Sequence, residues 1–184
     1  MQLPKLIIIG LALLLAGRVA AQKVIVERPP VAERSSVAER SLLAERSSVD
    51  LRYTVSMEEP SSHRFHVVFR CAGVSGPVLD LKMPAWMPGY YQLLDYAGKV
   101  ENFHATDGAG KELGWEKTSA NNWRVGHSTG EVVTVSYDVA ATKAFVAQPW
   151  LDSTRGYIAP AGVFLYVDGY FREPVTVEDR KSVV

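Results

Sequence analysis

The sequence predicts an all-β domain, an antiparallel β-sandwich, over residues 51–184. Three observations carry it. Short runs of β-branched and aromatic residues recur through this stretch, with Gly, Pro, Asn and Asp turn signals between them. Two of the runs alternate strictly: Phe65, Val67, Phe69 and Cys71 against His66, Val68 and Arg70, and Val133, Val135, Tyr137 and Val139 against Thr134, Ser136 and Asp138. A period of two marks a half-buried strand. No window in the domain sustains apolar residues at i, i+3, i+4 and i+7 for three helical turns.

Residues 1–21 precede the domain as an expected signal peptide. Lys5 supplies the positive n-region, Leu6–Ala16 an unbroken apolar h-region, and Val19 and Ala21 the small residues before a cut at Gln22. The competing reading is an uncleaved anchor, but 11 apolar residues fall well short of the ~20 that span a bilayer. No cysteine follows the h-region to carry a lipid. Residues 22–50 are expected to be a disordered linker built on three tandem hexads, VAERSS, VAERSL and LAERSS, at residues 31–48. Six residues at about 100° each rotate successive copies of Val31, Val37 and Leu43 onto different helix faces. On a strand these residues would share a face with Glu33 and Ser35, so neither conformation gathers an apolar side. The alternative for this segment is a helix formed on contact with a partner.

Within the domain the strands are expected at Leu51–Met57, Phe65–Cys71, Val78–Met83, Lys99–Thr106, Asn122–Val125, Val132–Val139, Gly162–Val167 and Pro174–Val177. Asp107-Gly108-Ala109-Gly110 supplies a turn. Tyr90–Val100 is the best short-helix candidate, closely bracketed by Gly89 and Gly98. Seven or eight strands at this spacing fit a sandwich able to bury a core without disulfides.

Composition excludes several functions. Twenty basic and 20 acidic side chains argue against a nucleic-acid partner, whose phosphate backbone calls for a basic face. Loss of Lys5 and Arg18 with the signal would leave a slightly acidic exported chain. A single cysteine, Cys71, rules out an internal disulfide framework and any zinc site of several thiolates. The HxxH pair His63–His66 resembles a metal fragment, but on a strand residues three apart face opposite sides. There is no HExxH helix, no GxSxG elbow and no Gly-rich phosphate loop. The sequence holds no self-contained active site.

The most distinctive stretch is Met83–Val100, MPAWMPGYYQLLDYAGKV. Pro84 and Pro88 restrict the backbone around Trp86, and Gly89 permits a sharp turn before Tyr90 and Tyr91. A stiff loop presenting aromatics should result, followed by Asp95 and Tyr96. Gln148-Pro149-Trp150, with Asp152, Arg155 and Tyr157, forms a second aromatic cluster. Aromatics mostly fill cores, so corner packing of the sandwich competes with a docking surface or a cleft wall.

These residues resemble the N-terminal domain of the glycyl aminopeptidase family of zinc metallopeptidases. The resemblance is carried by Tyr53-Thr54-Val55-Ser56-Met57, by Leu81–Tyr90 with its Pro-x-Trp-x-Pro-Gly-x-Tyr block, and by Asp95-Tyr96-Ala97 and Val100. It continues through Ala105-Thr106-Asp107-Gly108, Gly110, Trp123-Arg124-Val125 and Val135-Ser136-Tyr137. The resemblance implies a β-domain that precedes a thermolysin-like catalytic domain carrying HExxH. It therefore implies a chain truncated before that domain, with no cofactor of its own and zinc in the missing part. The partner would be the catalytic metallopeptidase domain in cis or trans, and peptide substrate would bind only the full enzyme. No nucleic acid is expected, nor a membrane after signal cleavage; localisation would be periplasmic or secreted. Trp86, Pro88, Gly89, Tyr90, Tyr91, Asp95 and Trp150 are the candidate interface or cleft-lining residues. The alternative is a freestanding exported binding module whose loop aromatics bind protein or glycan, with Asn102, Asn121 and Asn122 as loosely placed polar companions.

Overall fold

The computed structural model describes residues 49–180; the expected signal peptide, the hexads and residues 181–184 lie outside the described residues. Alternating apolar residues form the core strands, each of which buries one side. β1 (Asp50–Ser56) buries Leu51, Tyr53 and Val55, and β2 (Arg64–Ala72) buries Phe65, Val67, Phe69 and Cys71. β3 (Val78–Lys82) buries Leu79 and Leu81, and β4 (Val100–Asp107) buries Phe103 and Ala105. β5 (Trp115–Ser119) is exposed along its length, whereas β6 (Asn122–Gly126) buries Trp123 and Val125. β7 (Val133–Ala140) buries Val133, Val135, Tyr137 and Val139. Four short or late strands follow: β8 (Trp150–Leu151), β9 (Gly156–Tyr157), β10 (Tyr166–Val167) and β11 (Val175–Arg180).

The strands make a five-stranded sheet in the order β11-β1-β2-β7-β4, a four-stranded sheet in the order β10-β3-β6-β5, and the separate β8-β9 hairpin. Phe103 of β4 spans the two large sheets. Its ring lies 4.7 Å from that of Trp115 and 5.8 Å from that of Trp123, centroid to centroid. The sandwich core is thus apolar from both sides, each fully buried Val, Leu or Phe contributing about 1.5–3 kcal/mol. No helix among the described residues is long and apolar enough to cross a membrane.

The predicted all-β class holds, with differences of detail. β11 runs parallel to β1, Leu51 opposite Val175 and Val55 opposite Asp179, where the pattern of short strands had suggested antiparallel neighbours throughout. Adjacent short turns enforce antiparallel pairing, but a strand arriving by a long connection is free of that constraint. The expected strand at Gly162–Val167 is reduced to β10, because Pro160–Gly162 forms a 3-10 turn instead. The helix candidate at Tyr90–Val100 shrinks to a 3-10 turn at Ala97–Lys99.

Two tyrosines tie the sheets to this crossover. The Tyr137 hydroxyl donates to the Val163 carbonyl and accepts from the Leu165 N–H, both at 3.0 Å. The Tyr53 hydroxyl donates to the Leu165 carbonyl at 2.6 Å. Leu165 is therefore held at both backbone groups by side chains of the five-stranded sheet.

Candidate functional site

The loop after β3 starts from a fixed point. Asn121 holds Met83 at both ends, its carbonyl accepting from Met83 N at 3.0 Å and its Nδ2 donating to Met83 O at 2.9 Å. The Leu94 N–H then donates to Ala85 O at 2.9 Å, closing a loop across residues 85–94. At its tip Met87 pairs with Tyr90. Gly89 has φ +88°, a left-handed conformation that an L side chain would strain. The Pro-Gly pair read from the sequence therefore makes the turn it was expected to make.

A second loop joins β7 to β8 and is closed by the Leu151 N–H donating to Ala141 O at 2.9 Å. The structure brings the two loops together. The Tyr90 ring meets Phe145 edge-on, with centroids 5.1 Å apart. Tyr96 is fully buried and its hydroxyl donates to Ala147 O at 2.5 Å. Burial, helped by Tyr157 and Tyr90 nearby, pushes its phenol pKa up. Lys99 Nζ donates to Gln148 Oε1 at 2.6 Å, and burial, followed by repulsion from Lys143, holds its ammonium below the ordinary lysine range. Beneath them Gly162 leaves no room to spare. A Cβ there would lie 2.7 Å from the Tyr96 ring and 2.9 Å from Pro149 Cδ.

The β8–β9 hairpin continues the surface. Asp152 Oδ1 accepts from Thr154 N, Thr154 Oγ1 and Arg155 N, at 2.7, 2.7 and 3.0 Å. These bonds, first those from Thr154, hold its carboxyl below the usual range. The Arg155 guanidinium lies over the Trp150 ring at 4.8 Å, and the Tyr157 hydroxyl donates to Val146 O at 3.0 Å. Between loop and hairpin lies an open cleft of about 510 Å³, walled by Phe145, Val146, Trp150, Arg155, Gly156 and Tyr157.

The candidate residues divide accordingly. Trp86 and Tyr91 are exposed, at 48% and 88%, and Leu93 and Val146 join them at 82% and 71%. Pro88 and Gly89 shape the exposed tip, and Tyr90 is half-buried against Phe145. Asp95 is exposed and accepts from Gly98 N at 2.9 Å, capping the turn that follows the loop. Trp150 forms a wall of the cleft. Leu93, Phe145 and Val146 were not singled out from the sequence. The signal was there in an apolar Phe145-Val146 step beside Pro149, but such a pair reads equally as a strand.

Among the described residues no three His, Cys, Asp or Glu side chains are grouped to hold an ion. The imidazoles of the HxxH pair go to separate partners: His63 Nδ1 to Leu151 O at 2.5 Å, and His66 Nδ1 to Asp138 Oδ1 at 2.7 Å. His63 sits not on β2 but just before it, at a left-handed turn residue with φ 54°. Cys71 is buried, and burial pushes its thiol pKa up. The asparagines weighed for a glycan site are engaged elsewhere. Asn102 donates to Asp138 at 2.7 Å, Asn121 holds Met83, and Asn122 donates to Asp80 at 3.1 Å and to Thr118.

The geometry defines a β-sandwich domain with an apolar surface built by two interlocked loops. The same fold occurs in a solved structure described as an aminopeptidase N family protein from Idiomarina loihiensis, with a TM-score of 0.66 and 24% identity. The match covers 71% of this chain and 22% of that one, so the chain spans about a fifth of that protein's length. A search of curated proteins finds no match. The profile of the Peptidase M61 N-terminal domain matches residues 52–182, and the chain belongs to that family. It is a peptidase N-terminal domain.

Proposed function

We propose that this domain is the non-catalytic N-terminal module of an exported zinc aminopeptidase of the glycyl aminopeptidase type. It docks on a catalytic metallopeptidase domain, in cis or trans, and helps shape the substrate cleft. Residues 1–21 would direct export to the periplasm or medium, and residues 22–50 would act as the spacer before the domain. The observation that carries the reading is the joined-loop surface, where Trp86, Tyr91, Leu93 and Val146 stand exposed on loops pinned by Asn121, Tyr96 and Lys99. Large apolar side chains on a rigid, exposed site are what a docking interface requires. In this reading zinc and its chemistry reside in the catalytic partner domain.

The test mixes this chain with the catalytic domain of a peptidase of this family. Association should be measurable by calorimetry, and the Tyr91→Asp/Leu93→Asp double variant should weaken it at least about tenfold, since truncated interface anchors cost more than 1 kcal/mol. The chain alone should cleave no Gly- or Ala-initiated dipeptide in the presence of zinc. Metal-dependent turnover by the chain alone, or association indifferent to both substitutions, would overturn the proposal.

A further inference from the structure

The cleft beside the β8–β9 hairpin combines three properties that docking alone does not require. Its walls are apolar and aromatic, from Phe145, Val146, Trp150 and Tyr157. Its cation is pre-positioned: Arg155 is exposed, its guanidinium carbon lies 4.8 Å from the Trp150 ring centroid, and it forms no salt bridge among the described residues. Stacking uses the face of a guanidinium and leaves its N–H edge free for a bidentate acceptor. The nearby carboxylate of Asp152 feels the charge of Arg155 but forms no side-chain ion pair with it; its Oδ1 accepts three hydrogen bonds within its own turn, one of them from the Arg155 backbone. Lys143 borders the same loop and adds positive charge. The third property is a strand edge. β9 has only β8 as a neighbour in its sheet, and Gly156, without a side chain, lines the cleft. An unpaired edge is a template for an extended chain.

We propose that this cleft receives the carboxylate end of a short peptide. The last side chain, apolar or aromatic, lies against Phe145, Val146 and Tyr157; the terminal carboxylate takes the free edge of Arg155; and the peptide backbone runs along Gly156–Tyr157. An apolar cleft with one placed charge selects both a hydrophobic group and an anion, and the strand edge selects a peptide over other apolar acids. A cleft of about 510 Å³ falls within the ~300–1,000 Å³ of small-ligand sites. The proposal rests on the reading of the domain as part of a peptide-processing enzyme, and adds to it which end of the peptide the domain holds.

The experiment uses the full chain and follows the Trp150 indole and Gly156 amide resonances by NMR during titration. The ligands are N-acetyl-Ala-Phe with a free carboxylate, its C-terminal amide, and hexanoate. The free acid should bind about tenfold more tightly than the amide, the difference expected for one charge-assisted pair, and perturb residues 144–157. Arg155→Gln should bring acid and amide to equal affinity while the dispersion of the remaining resonances is retained. Binding of hexanoate as tightly as the peptide acid would overturn the peptide assignment. Equal affinity for acid and amide, or an Arg155→Gln chain that still distinguishes them, would overturn the role of Arg155. Absence of shifts at millimolar peptide would overturn the site itself. None of these outcomes bears on docking, which the Tyr91/Leu93 variant reads separately.

Discussion

Replacing Tyr137 by Phe removes one oxygen atom and little else, so its cost can be worked from the structure. The hydroxyl is buried, donates to Val163 O and accepts from Leu165 N–H, each at 3.0 Å. Phe fills the same space, so no cavity term arises. A buried N–H left without a partner costs about 1–3 kcal/mol, and the orphaned carbonyl adds to it. Against this stands the desolvation of the hydroxyl, which the Phe variant no longer incurs. The expected net loss is about 2–3 kcal/mol, with a fall in Tm of roughly 3 °C per kcal/mol for a chain of this size. Urea unfolding should show a lower midpoint with an unchanged m-value. Tyr53→Phe removes only the bond to Leu165 O and should cost about 1 kcal/mol. Because both hydroxyls hold Leu165, the two losses should be non-additive in a double-mutant cycle. A Tyr137→Phe chain within about 0.5 kcal/mol of the parent would refute the reasoning, since surface substitutions already span that range.

Four further outcomes follow from the same structure. Gly162→Ala places a methyl 2.7 Å from Tyr96 and 2.9 Å from Pro149; it should cost about 1–3 kcal/mol as an overpacked site and broaden the resonances of both loops. Cys71 is buried, and burial raises its thiol pKa, so a disulfide reagent at pH 8 should label it only after denaturant is added; labelling of the native chain within minutes would contradict the burial. Asp80 is held below the usual carboxylate range, chiefly by its hydrogen bond from Arg124. A depressed folded pKa gives stability that is present above the unfolded value near 3.8 and lost as pH falls through the folded one, so Asp80→Asn should flatten the acid limb of a stability–pH curve. Burial raises the pKa values of Tyr53 and Tyr137, so the sign reverses. Their contribution is full below the ordinary phenol value of about 10 and falls as pH climbs past it, and absorbance titration should show both phenols ionising only as the fold is lost.

The loops show how far the sequence could be read toward function. Pro84, Pro88 and Gly89 specified the tight turn at the tip, where Gly89 takes φ +88°, because their constraints are local and belong to the backbone itself. The motif marks Asp95, yet its carboxylate accepts from the Gly98 N–H, a contact that spacing alone does not separate from an interface role. Nothing local in the sequence relates the loop of Trp86 to that of Trp150. Tyr96 to Ala147 and Lys99 to Gln148 are the contacts that join those loops, across about fifty residues of chain.

By itself the sequence determined the all-β class, most of the strands and their buried faces, because side-chain alternation at period two is a local property that survives any topology. It also carried the motif block that marks the family. The tertiary structure alone decided that β11 lies parallel beside β1, that two distant loops make one surface, and that Arg155 lies over Trp150. Each of these depends on where a strand arrives after a long connection. No local pattern encodes that arrival; it is set by the core that Phe103, Tyr53 and Tyr137 close between the sheets.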